Sequence, residues 1–148
     1  MLLEFKTKNY KSFVEEARFS MVAAPKQSGL NYSVWNTKVK GKKAKLFCSS
    51  VIYGPNAEEK SSPNAASSLL ELIPNNNFTH PEPVEFSVEF LENGYCIQYE
   101  IRMDLGVFLD EGHKRNILSE TLSIDGKTVF SRNGKLEIGN LNVIKKYE

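Results

Sequence analysis

Alternation of apolar and polar side chains runs through much of the sequence and predicts a strand-rich protein. Leu3, Phe5 and Thr7 alternate with charged residues at the N-terminus, and residues 17–22 form a second short run of strand-like residues. A period of two indicates a strand with one buried face. We therefore predict a first strand over residues 2–8 and a second, antiparallel strand after a turn at residues 9–13.

The second half of the chain shows the same alternation more regularly. Apolar residues occupy every other position over residues 84–90 and again over residues 95–101, and Asn93-Gly94 separates the two runs. Asn-Gly and Asp-Gly are strong signals for two-residue hairpin turns. Hairpins are therefore predicted at Asn93-Gly94 and Asp125-Gly126, with the aromatic residues of the first hairpin on a common face. Asn133-Gly134 should turn the chain into a last strand.

Residues 46–53 have a different pattern, because apolar and small side chains follow one another almost without interruption. A short apolar run that ends at a glycine is typical of a strand buried on both faces, as in the middle of an α/β sheet. We therefore predict a central strand here, within an α/β (α+β), strand-rich fold. Four further elements are predicted: a strand at residues 32–38, a basic turn at 41–43, a strand at 69–73 and a helix beginning within 141–147.

Composition limits the classes of protein to consider. The chain has 148 residues, 41% hydrophobic and 25% charged, with a formal net charge of +1. This balance is typical of one soluble domain with its own core and indicates no bulk attraction to nucleic acid or to membranes. No apolar run approaches the roughly 20 residues of a membrane helix, and the N-terminus lacks the apolar core of a signal peptide. A cytoplasmic protein without a membrane partner is predicted.

The cysteines and histidines of the sequence do not indicate a metal site or a catalytic site. Cys48 and Cys96 each lie in a strand-like pattern, so both are predicted to be buried free thiols. The two histidines, His80 and His113, are isolated, and no set of residues has zinc-ligand spacing. No metal ligand and no catalytic residue is assigned from the sequence.

The stretch after the predicted central strand partly matches a phosphate-binding loop. Gly54, Lys60 and Ser61 fit the pattern G-x-x-x-x-G-K-[ST], but Glu59 stands where the second glycine belongs. A Cβ and a negative charge at that position both oppose the close approach of a polyphosphate. The loop should also open a helix, whose N-terminal N–H groups and dipole attract the anion, yet the residues after Pro63 carry no amphipathic stripe.

A resemblance to a known family rests on two segments, Asn9-Tyr10-Lys11-Ser12-Phe13 and Gly54-Pro55-Asn56-Ala57. Together they resemble ABC-type ATPases of the SMC, RecF and OLD-nuclease kind, and in particular bacterial AAA-family ATPases of phage defence and abortive infection. That family begins with a strand followed by Asn, an aromatic residue, a basic residue, Ser and Phe, and its Walker A loop begins Gly-Pro-Asn-Ala. The strand-rich second half also resembles the β-rich part of the family's N-terminal lobe.

The resemblance implies an N-terminal ATPase lobe spanning residues 1–148, with an incomplete nucleotide site. In the family, Gly-Pro-Asn-Ala continues as Ser-Gly-Lys-Ser or Ser-Gly-Lys-Thr and opens a long helix. Two explanations stay open: a segment missing between Ala57 and Glu58, which we favour, or decay of the loop in place. The residues that the resemblance implies for nucleotide binding are Gly54, Pro55, Asn56, Ala57, Lys60, Ser61 and Lys11.

The resemblance also implies cofactors and partners. The parent family binds ATP and magnesium and hydrolyses ATP between two protomers, so a homodimer or larger assembly is expected of the full-length protein, with an effector nuclease or a nucleic acid as a further partner. No Walker B strand and no signature motif follow in this sequence, so the chain alone is expected to be inactive. The alternative is a non-enzymatic, β-rich interaction domain that binds no nucleotide.

Overall fold

The computed structural model describes residues 1–10, 13–24, 31–52, 82–106, 115–139 and 142. Within these ranges the chain is strand-rich, with a short 3₁₀ turn at Asn31–Ser33. The strand-rich part of the predicted fold is confirmed. The strands are β1 (Leu2–Lys8), β2 (Ala17–Ser20), β3 (Val34–Val39), β4 (Lys42–Phe47), β5 (Val84–Glu92), β6 (Tyr95–Asp104), β7 (Asn116–Ile124), β8 (Lys127–Asn133) and β9 (Lys135–Ile138).

Seven of these strands form one sheet in the order β2-β1-β5-β6-β7-β8-β9. Every neighbouring pair is antiparallel. Strands β3 and β4 form a separate two-stranded antiparallel ribbon. The ribbon joins the chain that leaves β2: Val22 bridges Leu46, and the N–H of Phe47 donates to the carbonyl of Met21 at 2.8 Å.

Predicted hairpins occur where the turn dipeptides place them. Asn93 and Gly94 have φ values of 50° and 84°, and Asp125 and Gly126 have 49° and 77°. Two successive positive φ values are the requirement of a type I′ turn, which matches the twist of the flanking strands. One turn differs from its prediction: Lys40 and Gly41 form it, so Lys42 and Lys43 belong to β4 rather than to a basic turn.

The register of β5 and β6 confirms the common face predicted for their apolar residues. Phe86 pairs with Ile101, Val88 with Tyr99 and Phe90 with Ile97. Directly opposite residues of an antiparallel pair share a face and interact. We call this side of the large sheet the aromatic face. The other side of the same strands, which we call the polar face, carries Ser87, Glu89, Gln98 and Glu100 among others.

Buried residues form two clusters. The first lies on the aromatic face and consists of Phe5, Tyr10, Val84, Phe86, Met103 and Leu105. The second forms where the ribbon packs against the polar face. Its members are Leu3, Leu46, Leu91 and Cys96.

A register shift between Leu2 and Glu4 lets β1 contribute to both clusters. An extra residue in one strand of a pair changes the face on which the following side chains lie. Leu3 therefore belongs to the cluster under the ribbon, although Phe5, two residues later, belongs to the aromatic face.

The prediction of a central strand over residues 46–53 is wrong. Strand β4 ends at Phe47, pairs with β3 along its length, and lies in the two-stranded ribbon rather than inside the large sheet. Leu46 is fully buried, but Val51 and Ile52 are 81% and 45% exposed. A strand can bury both faces only if it has layers on both sides, and the described part of the chain covers only one face of this ribbon.

The two cysteines have different environments. Cys96 is a buried free thiol, as predicted, whereas Cys48 lies just beyond β4 and is exposed. Its predicted burial is wrong for the same reason as that of residues 51–52. The strand predicted at residues 69–73 and the helix predicted within residues 141–147 fall outside what the structure describes.

Candidate functional site

All seven residues that the sequence analysis assigned to nucleotide binding fall outside the described residues. Their positions therefore stay predictions. The structure describes the two chain segments that precede them: the end of β1, before Lys11, and the end of β4, before Gly54.

The end of β1 is a well-defined corner. Asn9 has a φ of 55°, and its side-chain Nδ2 donates to Glu82 Oε2 at 3.0 Å and to the Pro83 carbonyl at 3.2 Å. Asparagine tolerates this left-handed conformation better than most residues. The two side-chain hydrogen bonds of Asn9 join the end of β1 to the residues that precede β5.

Tyr10, the next residue, fixes the corner in the core. It is fully buried, and its ring meets Phe86 edge-on with 5.1 Å between ring centroids. Its backbone exchanges two hydrogen bonds with Phe13, of 3.0 and 2.9 Å. The Asn9…Phe13 segment is thus held at both ends by packing and by paired backbone groups.

Regular structure at the end of β4 stops earlier in the sequence than predicted, at Phe47 instead of residue 53. The N–H of Cys48 donates to the Ser33 carbonyl at 2.9 Å. Residues 49–52 follow without regular structure. The chain that leads to Gly54 therefore leaves the fold from the ribbon, on exposed side chains, and not from the centre of a sheet.

A cavity of about 310 Å³ lies on the sheet between β1 and β7. Two of its cations are paired with glutamates: Lys6 Nζ lies 3.3 Å from Glu4 Oε2, and Arg102 Nε lies 3.3 Å from Glu85 Oε1. Paired surface charges of this kind offer a ligand little uncompensated attraction. The lining polar residues are Lys6, Lys8, Glu16, Glu85, Ser87, Glu100, Arg102, Ser119, Glu120 and Thr121, together with Thr7.

A polar network interrupts the aromatic face. The Tyr99 hydroxyl donates to Glu120 Oε2 at 2.8 Å, and an Arg132 guanidinium nitrogen lies 2.8 Å from Glu120 Oε1. Burial and the hydrogen bond to Glu120 raise the pKa of Tyr99 to about 12. A tyrosine with this pKa keeps its proton near neutral pH, so the network orders the face and supplies no general base.

A second network holds the buried thiol. Cys96 Sγ donates to Glu89 Oε1 at 3.1 Å, and Lys40 Nζ lies 2.7 Å from the same oxygen. Burial and the contact with Glu89 raise the pKa of Cys96 to about 12. The thiolate is the nucleophilic form of cysteine, so this thiol is inert at neutral pH.

Sequence reasoning missed both networks. The signal for the first was present: Glu120 and Arg132 stand at alternate positions where the strands otherwise carry Leu122 and Phe130. A charge at an apolar position of one strand matched by an opposite charge on its neighbour indicates a cross-strand pair. The second could not be found, because Lys40 and Glu89 are 49 residues apart.

Among the described residues there is no group of histidine, cysteine, aspartate or glutamate suited to hold a metal ion. None of the helices described there is long and apolar enough to span a bilayer. Comparison of the chain with protein-family models, with curated proteins and with solved structures found no match.

Proposed function

We propose that this chain is the β-rich N-terminal part of an ABC-type ATP-binding protein of the phage-defence or abortive-infection kind, with an incomplete nucleotide site. The observation that carries the proposal is the corner at Asn9 and Tyr10. The residues that resemble the start of these ATPases form a specified structure there, with a left-handed asparagine and a fully buried tyrosine. The antiparallel pairing of β1 with β2 and the strand-rich second half agree with the same assignment.

The predicted central strand no longer supports this proposal. The case for a nucleotide-binding lineage therefore depends on the Asn9…Phe13 corner and on the Gly54-Pro55-Asn56-Ala57 sequence. In the parent protein, backbone N–H groups of that loop would cradle the phosphates of ATP, and a lysine and a hydroxyl would meet the outer phosphates and magnesium. Lys60 and Ser61 have the sequence spacing of that lysine and hydroxyl, but Glu59 replaces the glycine before them.

The coding sequence provides a direct test. Between the codons of Ala57 and Glu58, or in a corrected reading frame there, we expect codons for Ser-Gly-Lys-Ser or Ser-Gly-Lys-Thr and a helix. Downstream of codon 148 we expect a hydrophobic strand ending in Asp-Glu and a signature motif. A continuous reading frame at codon 57 that closes after codon 148 would contradict the proposal.

A protein experiment complements the sequence test. The purified 148-residue chain is expected to show no magnesium-dependent ATP hydrolysis, because no general base and no partner signature is present in its sequence. The same chain with the restored loop and helix is expected to bind ATP with magnesium in calorimetry, and Lys→Ala in the restored loop should abolish the heat. Turnover by the present chain that Lys60→Ala abolishes would overturn the assignment of an incomplete site.

A second candidate function is a non-enzymatic interaction domain. It is favoured by the outer strand β9, where Leu136 and Ile138 are 61% and 60% exposed. Exposed apolar side chains on an edge strand are a feature of surfaces that pair with another chain. Leu136→Lys together with Ile138→Lys should leave this chain folded and change its sedimentation only if the edge binds another copy. An unchanged sedimentation coefficient at high concentration excludes self-association through this edge.

A further inference from the structure

The ribbon of β3 and β4 concentrates the positive charge of the protein. Residues 31–52 contain five lysines and no arginine or acidic residue, whereas the rest of the chain has 14 basic residues against 18 acidic ones. The net charge of +1 is therefore the sum of a strongly basic segment and a rest of the chain that is net acidic. Charge asymmetry of this size creates a local potential that the overall net charge does not reveal.

The ribbon register places three of these lysines on one face. Lys38 lies directly opposite Lys43, and Asn36 lies directly opposite Lys45. Side chains at alternate positions of a strand share a face, so Lys43 and Lys45 are neighbours along β4. All four residues are exposed. They line an open groove of about 560 Å³, together with Thr37 and Ala44. We call the side of the ribbon formed by Asn36, Lys38, Lys43 and Lys45 the lysine face.

The lysine face is uncompensated, whereas four cations of the large sheet are paired with glutamates. Lys6, Arg18, Arg102 and Arg132 each lie within ion-pair distance of a glutamate. Lys40, at the ribbon turn, is paired with Glu89. In the described part of the chain, Lys38, Lys43 and Lys45 have no such partner. Like charges directly opposite each other destabilise an antiparallel pair, so this arrangement costs the free protein stability.

We propose that the lysine face binds the phosphodiester backbone of a nucleic-acid duplex. Lysine is a compact point charge suited to phosphate oxygens, and a two-stranded ribbon has the dimensions to lie against a duplex groove. None of the exposed residues of the face is aromatic, and the one ring on this side of the ribbon, that of Phe47, is half-buried at its end. Trp35 pairs with Leu46 and therefore lies on the opposite side of the ribbon.

The lack of an exposed aromatic ring beside these lysines favours a duplex over a single strand. Single-strand binding uses aromatic side chains beside the cations, on which unpaired bases stack. A duplex keeps its bases stacked within and presents phosphates at its surface, so lysines alone suffice. Contacts of this kind do not read sequence, and binding should depend steeply on salt. The proposal does not depend on nucleotide binding elsewhere in the chain.

The test compares two charge-matched triple variants of the whole chain. Lys38→Gln, Lys43→Gln and Lys45→Gln remove the lysine face, while Arg115→Gln, Lys127→Gln and Lys135→Gln remove three exposed cations outside the ribbon. Fluorescence anisotropy with a short labelled DNA duplex of arbitrary sequence gives the dissociation constant at several salt concentrations from about 50 to about 200 mM. Thermal unfolding followed by circular dichroism confirms that both variants fold.

The wild-type chain and the control variant should bind the duplex with a similar salt dependence. The lysine-face variant should lose at least about tenfold in affinity at about 50 mM salt, and the slope of log K against log[salt] should become shallower by about 2.7, or 0.9 for each lost phosphate contact. Equal losses in the two variants would overturn the proposal. So would tighter binding of a single strand of the same length, or equally tight binding of anionic phospholipid vesicles.

Discussion

Lys40 Nζ lies 2.7 Å from Glu89 Oε1, and this ion pair joins the turn of the β3–β4 ribbon to the large sheet. The Glu89 oxygen also accepts the hydrogen bond of the buried Cys96 thiol. The ribbon is therefore attached in three ways: by backbone hydrogen bonds near Met21 and Ala23, by the packing of Leu46 in its buried cluster, and by this contact at its tip. The orientation of the lysine face depends on these attachments together.

Lys40→Met is expected to lower the free energy of unfolding by about 0.5–1 kcal/mol, because the pair is partly solvent-exposed and its net contribution is correspondingly small. Urea denaturation measures the change. Lys42→Met is the matched control, since Lys42 lies on the same ribbon without an ion pair in the described part of the chain. An equal loss in both variants would mean that the Lys40–Glu89 contact adds nothing specific.

Acid should weaken the same attachment. Burial by itself would raise the pKa of Glu89, but the hydrogen bonds from Lys40 and Cys96 and the charge of Lys40 outweigh it and lower the pKa. A carboxyl group with a lowered folded-state pKa contributes stability above its unfolded pKa and loses it as pH falls through the folded value.

The stability advantage of the wild-type chain over Glu89→Gln should therefore be constant near neutral pH and shrink below about pH 4.3, the ordinary glutamate value. Urea titrations from pH 7 down to acid measure it. An advantage that persists undiminished in acid would contradict the lowered pKa.

Lys38→Glu should stabilise the ribbon while weakening its affinity for a duplex. The change places a carboxylate opposite Lys43 in place of a like charge, and we expect a gain of about 0.2–1 kcal/mol in the free energy of unfolding at low salt. Thermal or urea unfolding at low and high salt measures it, since screening should reduce the gain. Lys127→Glu, opposite the uncharged Ile124, should give no comparable gain.

The ends of the apolar run 46–52 should respond very differently to truncation. Leu46→Ala removes a fully buried side chain and is expected to cost about 2–5 kcal/mol. Val51→Ala removes a side chain that is 81% exposed and should change stability by less than about 0.5 kcal/mol. Urea midpoints compare the two. A large loss of stability in Val51→Ala would instead support the predicted central strand over residues 46–53.

Glu59→Gly tests the two explanations of the loop sequence. If a segment with its helix is missing, one glycine cannot restore the oriented N–H groups and the dipole that bind phosphate. We therefore expect no heat of binding in calorimetry with ATP and magnesium, for the variant as for the wild-type chain. Clear binding by the variant would favour a loop that decayed in place.

Local sequence determined the strands and turns of the large sheet. Asn93-Gly94 and Asp125-Gly126 set the two hairpins because positive φ values at both turn positions select those residues. Period-two alternation fixed which side chains share a face in β5 and β6, since a slip of one residue would turn every apolar side chain outward. These features depend on neighbours in the chain and can be predicted without the fold.

Tertiary structure decided how much of each face is covered. Leu46 is buried and Val51 exposed in one apolar run, because the ribbon packs on the large sheet through Leu46 and Val39, and Val51 lies beyond the end of β4. The extra residue of β1 places Leu3 under the ribbon, and Lys40 meets Glu89 across 49 residues of sequence. The lysine face likewise exists only through the β3–β4 register, which sets Lys38 opposite Lys43. Burial and long-range pairing depend on which elements pack together, and no local pattern carries that information.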